Sequence, residues 1–306
     1  MPLTFPSRTV DLGLEVHYLD YQVAQGADRP PLVCVHGLGG SHAEWAAFAA
    51  RLSDRWRVLV PDLAGFGRTP PGEEPADVAG NRRLLDRFLQ RVAGREAVVV
   101  GSSMGGLIGM LQARERPASV AGLVLVDPSL PRPPFGRLDP LVGGRVAAYA
   151  LARAPQVGEE LLRLRRTRLG AAGTVAMALR LSTLDPAKVD PEAVAAMRRV
   201  AEDRAALHGL DAAYVQAGLS LLRAHAGRRS LELLRSVPQV PTLLLHGRHD
   251  RLVPLGSARQ AARLRPDWSF RVLDGVGHLP HLEAPDRVAT IVGAWLADQV
   301  PTRAGR

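Results

Sequence analysis

The chain has 306 residues, 46% hydrophobic and 23% charged, with a single cysteine, Cys34. That length buries a full core without staples, and one thiol excludes an intramolecular disulfide and any zinc site built on several cysteines. The formal net charge of +9 rests on arginine, since Lys188 is the sole lysine, and the arginines alternate with leucine, alanine and glutamate, as in LLRLRRTRLG (Leu161 to Gly170), so they read as solvated helix faces rather than as a nucleic-acid surface.

Near the N-terminus, VDLGLEVHYLDYQV alternates as two short strands with a turn at Gly13. No basic segment leads into an apolar one there, and no apolar run is long enough to span a bilayer, so no signal peptide or integral membrane segment is expected and the expected location is cytoplasmic. PPLVCVHG is a continuous apolar run, as a strand buried on both faces requires. Ser41 suits the N-cap of a helix over about His42 to Leu52, with Glu44 at the capping-box position. WRVLVPDL is the next strand, and Asp77 to Val92 carries a helical stripe through Leu84, Leu85, Phe88 and Leu89. AVVVGSS reads as a strand, MGGLIGMLQARE as a helix and VAGLVLVDPS as a strand. From about Leu130 to Arg235 the alternation stops. A proline-rich exit, LPRPPFGR, leads into Ala/Leu/Arg helices, one of which Asp190 caps with Pro191 at its first position. VPTLLLHG, a helix over Ser257 to Leu264, SFRVLDG and a helix from about Pro285 to Asp298 resume the pattern. Strand–helix alternation predicts a mostly parallel central sheet with helices on both faces. The core is expected over 1–131 and 236–306, with a helical cap inserted at 132–235.

Gly101-Ser102-Ser103-Met104-Gly105 fits G-x-S-x-G between a buried strand and a helix. That pattern describes a strained turn that lifts its central serine, Ser103, out of the sheet. Side chains at the flanking glycines would collide with a neighbouring strand or helix, and Ser102 faces away. A serine hydroxyl needs a base, and the base an orienting carboxylate. Asp250, just past LLLHG, and His278, in the loop after FRVLDG, stand in the expected chain order. Asp127, also at a strand end, is the rival carboxylate, and Asp274 reads as a turn former. His281 suits the approach to the last helix, His246 an interior histidine, and His249 a loop residue beside the acid. For the developing oxyanion, the Met104 N–H lies at a helix N-terminus. The glycine-rich loop VHGLGGSHAEW supplies a second donor, assigned to the Leu38 N–H, with His36 bracing the loop.

Together, His36 to Gly40, PDLAGFGRT (Pro61 to Thr69), Gly101 to Gly106, His246-Gly247 with Asp250 and Pro254, and Gly277-His278 with Glu283 and Pro285 resemble the α/β-hydrolase superfamily. The likeness is to its esterase and C–C hydrolase branch with a helical cap. It covers about Arg8 to Arg132 and Ser236 to Gln299, not the cap. It implies an α/β-hydrolase fold and a two-step acyl transfer. Ser103 is the nucleophile, His278 the base, Asp250 its orienter, and Leu38 and Met104 N–H the oxyanion donors. No cofactor or metal is required. Relatives of this fold that open epoxides or remove halide use an aspartate nucleophile, which the serine argues against.

The cap segments GTVAMALRLSTL and DAAYVQAGLSLL carry apolar stripes that predict a mainly hydrophobic ester as the small-molecule partner. Phe135, Tyr149 and Tyr214 are its candidate aromatics. Three other readings stay open: a C–C bond hydrolase with the same triad, a ligand sensor that keeps the fold, and an acyltransferase that excludes water. Oligomeric state is not legible.

Overall fold

Eight strands form one sheet in the order β1-β2-β4-β3-β5-β6-β7-β8. They are β1 (Ser7–Asp11), β2 (Glu15–Tyr21), β3 (Leu32–Val35), β4 (Val58–Pro61), β5 (Ala97–Ser102), β6 (Val120–Val126), β7 (Thr242–Gly247) and β8 (Ser269–Leu273). The computed structural model describes residues 5–22, 29–131, 154–225 and 229–300. β1 and β2 form a hairpin that turns at Gly13, with φ of +86°, and β2 runs antiparallel to β4. All other neighbours pair in parallel.

The continuous apolar runs divide by strand period between two cores. On β5, Ala97 and Val99 face one side and Val98 and Val100 the other; on β6, Leu123 and Leu125 oppose Val124 and Val126. The first core takes Leu84, Leu85 and Phe88 from α2 (Val78–Phe88) and Leu107 and Ile108 from α3 (Met104–Glu115). The second takes Phe48 and Leu52 from α1 (Ala46–Leu52), together with helix residues Val288, Val292 and Leu296 near the C-terminus. The single cysteine, Cys34, is fully buried in this second core, and burial pushes its thiol well above its ordinary pKa.

The helix expected over His42 to Leu52 starts differently. Its first turn, His42–Trp45, is 3-10 and only Ala46–Leu52 is α-helical. Ser41 Oγ accepts from the Ala43 N–H at 3.4 Å, so the cap is made two residues on. Glu44 makes no return bond to Ser41, and the capping box is not formed.

Between β6 and β7, the described residues hold helices and no strand. They are α4 (Pro155–Ser182), α5 (Pro191–Asp203), α6 (Leu210–Ala224) and α7 (Arg229–Ser236). α4 is interrupted at Gly170, φ +62°. Asp190 caps α5 through the Glu192 N–H, with Pro191 first. Val175 and Leu179 of α4 join Ala193, Ala196 and Met197 of α5 in a third apolar cluster with Ala43, Leu279 and Leu282. Polar ties fix the block to the loops below. Arg204 donates to the carbonyls of Gly65 and Gly67, each at 3.0 Å. Gln216 and Ser220 of α6 accept from the Ala76 and Val78 N–H groups. Leu233 and Leu234 of α7 lie in the first core, so the insertion rejoins the sheet layer within 132–235. Most of the proline-rich exit, with Phe135 and Tyr149, lies outside the described residues. After β7 come α8 (Leu255–Leu264), α9 (Pro280–Glu283) and α10 (Pro285–Gln299). Among the described residues no helix is long and apolar enough to cross a membrane.

Candidate active site

The parallel strands end along one edge, where ligands bind in open α/β sheets. Ser103 follows β5 directly and opens α3. Its backbone sits at φ 50°, ψ −116°, a sparsely populated conformation for a side chain with a Cβ. The flanking glycines have a steric cause. A Cβ on Gly101 would stand 2.4 Å from the Gly105 carbonyl oxygen, and one on Gly105 would stand 2.1 Å from that of Val35. Ser102 is fully buried, and its hydroxyl has no partner among the described residues.

His278 Nδ1 and Asp250 Oδ2 are 2.7 Å apart. With Nδ1–H donating to the carboxylate, Nε2 is the unprotonated ring nitrogen, and no hydrogen bond joins it to Ser103 among the described residues. Asp250 Oδ1 accepts from the Leu252 and Val253 N–H groups. Burial opposes the Asp250 charge, but bonds from His278, Asp127 and Val253 outweigh it and hold the carboxyl below its usual range. The histidine loop is itself gripped. Glu283 accepts from the N–H groups of Gly277, Leu279 and Leu184. The His278 N–H donates to the Ser182 carbonyl at the end of α4 at 2.8 Å.

The rival carboxyl, Asp127, sits behind Asp250 rather than on His278. It is fully buried at φ 42° and accepts from the Gly247 N–H at 2.9 Å. Burial and the neighbouring Asp250 charge push it well above the carboxylate range. The two therefore form an acid–carboxylate pair, with Asp127 the protonated member. His246 is interior, as its strand position predicts, and its Nε2 lies 3.0 Å from the Val253 carbonyl. His249 is a loop residue bonded through its N–H to Val276, but its side chain is exposed. His281 lies on α9 and stacks on Trp45 at 3.9 Å.

In the loop after β3, Gly37 approaches so closely that a Cβ there would lie 3.0 Å from that of Ser103. His36 accepts the Leu63 N–H at Nε2, 3.0 Å, and donates from Nδ1 to the Gly37 carbonyl, 2.8 Å. Burial drives its pKa down to about 4, so it is a neutral brace. The Leu38 and Met104 N–H groups have no hydrogen-bond partner among the described residues.

Ser103, His278 and Leu38 share a cavity of about 430 Å³. Two larger clefts, of about 680 and 600 Å³, contain no histidine. Met177, Leu179 and Leu181 of α4 and Tyr214 of α6 line the shared cavity, as their apolar stripes predict. Glu44, Ser129 and Arg165 also line the cavity, and nothing in their sequence positions marks them for it. Arg165 was one arginine in a dense run, and only the fold of α4 separates it from its neighbours.

One further buried cluster joins His17, His42 and Asp62. Asp62 Oδ2 accepts from both Nδ1 atoms, at 2.9 and 2.7 Å, and Oδ1 accepts the His42 N–H. Ser7 Oγ bonds His17 Nε2. Burial opposes the Asp62 charge, but the two histidines hold its carboxyl far below the ordinary range. The set is a closed hydrogen-bond network under the loop.

The family model for the alpha/beta hydrolase fold matches residues 30–285, and the chain belongs to that family: it is an enzyme of the α/β-hydrolase class. The pimeloyl-[acyl-carrier protein] methyl ester esterase of Aromatoleum aromaticum is 30% identical over 275 residues, covering 87% of this chain and 97% of that protein. The 2-hydroxymuconate semialdehyde hydrolase of a Pseudomonas species is 30% identical over 280 residues, covering 88% and 87%. A solved thermophilic esterase from Thermogutta terrifontis shares the fold with a TM-score of 0.72 at 24% identity, covering 98% of this chain and 99% of that one.

Proposed function

We propose that this enzyme hydrolyses carboxylic esters of small to medium hydrophobic substrates through an acyl-enzyme on Ser103. The observation that carries the reading is the 2.7 Å bond from His278 Nδ1 to Asp250 Oδ2 in a cavity that Ser103 and His278 both line. Ser103 Oγ attacks the ester carbonyl as His278 Nε2 takes its proton, and Asp250 stabilises the imidazolium. The free N–H groups of Leu38 and Met104 hold the oxyanion; each such donor is commonly worth about 100- to 1000-fold in rate. His278 then protonates the leaving alkoxide. Water, deprotonated by the same histidine, attacks the acyl-enzyme, and collapse of the second tetrahedral intermediate frees the acid and Ser103. Residues 132–235 form the cap over a core of 1–131 and 236–306. The curated relative named as a methyl ester esterase agrees with this chemistry.

The test is hydrolysis of p-nitrophenyl esters from acetate to palmitate, with Ser103→Ala beside the parent. Activity that vanishes in the variant supports the reading, and the best chain length sizes the cavity. A folded parent no more active than the variant overturns it.

A second reading is hydrolysis of a C–C bond in a vinylogous diketone by the same triad. Two observations favour it: the relative named as a semialdehyde hydrolase, and Arg165, which lines the cavity without an ion-pair partner among the described residues. Turnover of a chromogenic dienol diketone, with esters left intact, would put this reading first.

A further inference from the structure

The loop that carries the Leu38 N–H is followed by a carboxyl group that the proposed reaction does not use. Glu44 lines the Ser103 cavity and is only 7% exposed. Its Oε2 and Oε1 lie 2.6 and 3.1 Å from where a Cβ on Gly40 would stand, so the carboxyl rests directly on a glycine that lines the same cavity. Neither oxygen has a hydrogen-bond or ion-pair partner among the described residues. The other buried carboxyls around the site are engaged: Asp62 by His17, His42 and Arg68, Asp250 by His278, and Asp127 by Gly247 and Asp250. The Glu44 oxygens are not among the side-chain atoms sealed away without a partner, so this carboxyl opens onto the cavity. Helix capping does not account for this one, because the capping box is not made. A group that enters with the substrate can reach the carboxyl from the cavity.

We propose that Glu44 is a specificity residue whose carboxyl donates a hydrogen bond to a second oxygen of the substrate, so that keto-substituted acyl esters are taken in preference to their hydrocarbon isosteres. The inference rests on the ester-hydrolase reading for the substrate's class. Burial, with the charge of Asp62 behind the loop, raises the Glu44 carboxyl to about 8, so near neutrality it holds the proton this bond needs. The other titratable groups near it are His17 and His42 on Asp62, His281 behind Trp45, and His278, Arg165 and Tyr214 on the shared cavity. α5 meets the turn through Ala193, Ala196 and Met197.

The test begins with binding, so that it does not depend on turnover. Methyl 4-oxopentanoate and methyl 4-methylpentanoate are titrated calorimetrically into the Ser103→Ala protein. The corresponding 5-oxo and 6-oxo pairs follow, to place the oxygen at other reaches. At about pH 6, at least one oxo ester binds roughly three- to tenfold more tightly than its isostere, the yield of one neutral hydrogen bond. Adding Glu44→Gln keeps the preference, because the amide N–H donates, and adding Glu44→Leu removes it. With Glu44 present the preference disappears by about pH 10, where the carboxylate has no proton to give; with Gln it persists. A preference that survives Glu44→Leu, or none in any pair, overturns the proposal. Should the leucine variant fail to fold, the contrast in pH dependence between Glu44 and Gln decides. Hydrolysis of the matching p-nitrophenyl esters by the parent separates the two claims. Turnover without oxo preference sinks the Glu44 subsite alone, whereas oxo-selective binding with no ester turnover sinks the esterase reading alone.

Discussion

At the sheet edge, glycines stand where no side chain fits. Cβ atoms on Gly101, Gly105 and Gly247 would lie 2.4, 2.1 and 2.0 Å from backbone oxygens. In the helical block the reverse holds. Gly170 interrupts α4 with nothing among the described residues within 4 Å of its would-be Cβ, and Leu161 and Leu169 are 54% and 41% exposed. The edge positions the candidate site by backbone contact, so its sequence tolerates little change. The block shapes the cavity with side chains on helices that face solvent, so it accepts change and adjusts what enters. The two meet where the Ser182 carbonyl accepts the His278 N–H.

The contrast is exposed to direct tests. Ser103→Ala leaves the fold intact and lowers kcat/KM by about 10⁴-fold or more, measured on the preferred p-nitrophenyl ester. Asp250→Asn costs about 10³- to 10⁴-fold, whereas Asp127→Asn, which keeps a donor toward Asp250, stays within about tenfold of the parent. Equal losses in the two asparagine variants would mean that Asp127 shares the orienting charge.

Stability separates the regions next. Gly105→Ala destabilises by about 3 kcal/mol or more because the obstacle is the backbone of β3, and Gly170→Ala by less, about 1–3 kcal/mol, the backbone strain of its positive φ alone. Similar denaturant midpoints for the two variants would break the comparison. Glu44→Gln follows. The Glu44 carboxyl titrates near 8 when folded and near its ordinary value when unfolded. The folded state therefore holds an extra proton between those values, and stability is lost as pH rises through them. Removing the charge raises Tm by several degrees at about pH 9 and by little at about pH 5. A Tm difference that is flat across that range would refute the raised carboxyl. Last, Arg163→Gln on α4, which breaks an exposed pair with Glu160, leaves Tm and kcat/KM unchanged within error.

Much of the edge was legible because its physics is local. A strand buried on both faces must be apolar throughout, and a turn as sharp as that at Ser103 demands glycines at fixed offsets, so the sequence shows both. The block was legible only as helix, since periodicity tells which stripe is apolar and not which residues meet Ser103. Glu44 shows how a local rule can mislead. Ser41 and Glu44 match the capping box, but a 3-10 first turn moves the cap bond to Ala43 and leaves the carboxyl in the cavity. Asp127 and Asp250 are rivals for the orienting role on sequence position alone. Their positions after adjacent parallel strands put the two carboxyls together, a relation that depends on strand order and not on spacing along the chain.

Sealing Cys34 inside β3 leaves the native enzyme without an accessible native thiol among its 306 residues. A thiol reagent therefore reads opening of the sheet itself, with no background from the surface. A cysteine introduced at Arg168 on α4 would be the sole site for a spin label or fluorophore, so movement of the block relative to the sheet can be followed in the otherwise unaltered enzyme.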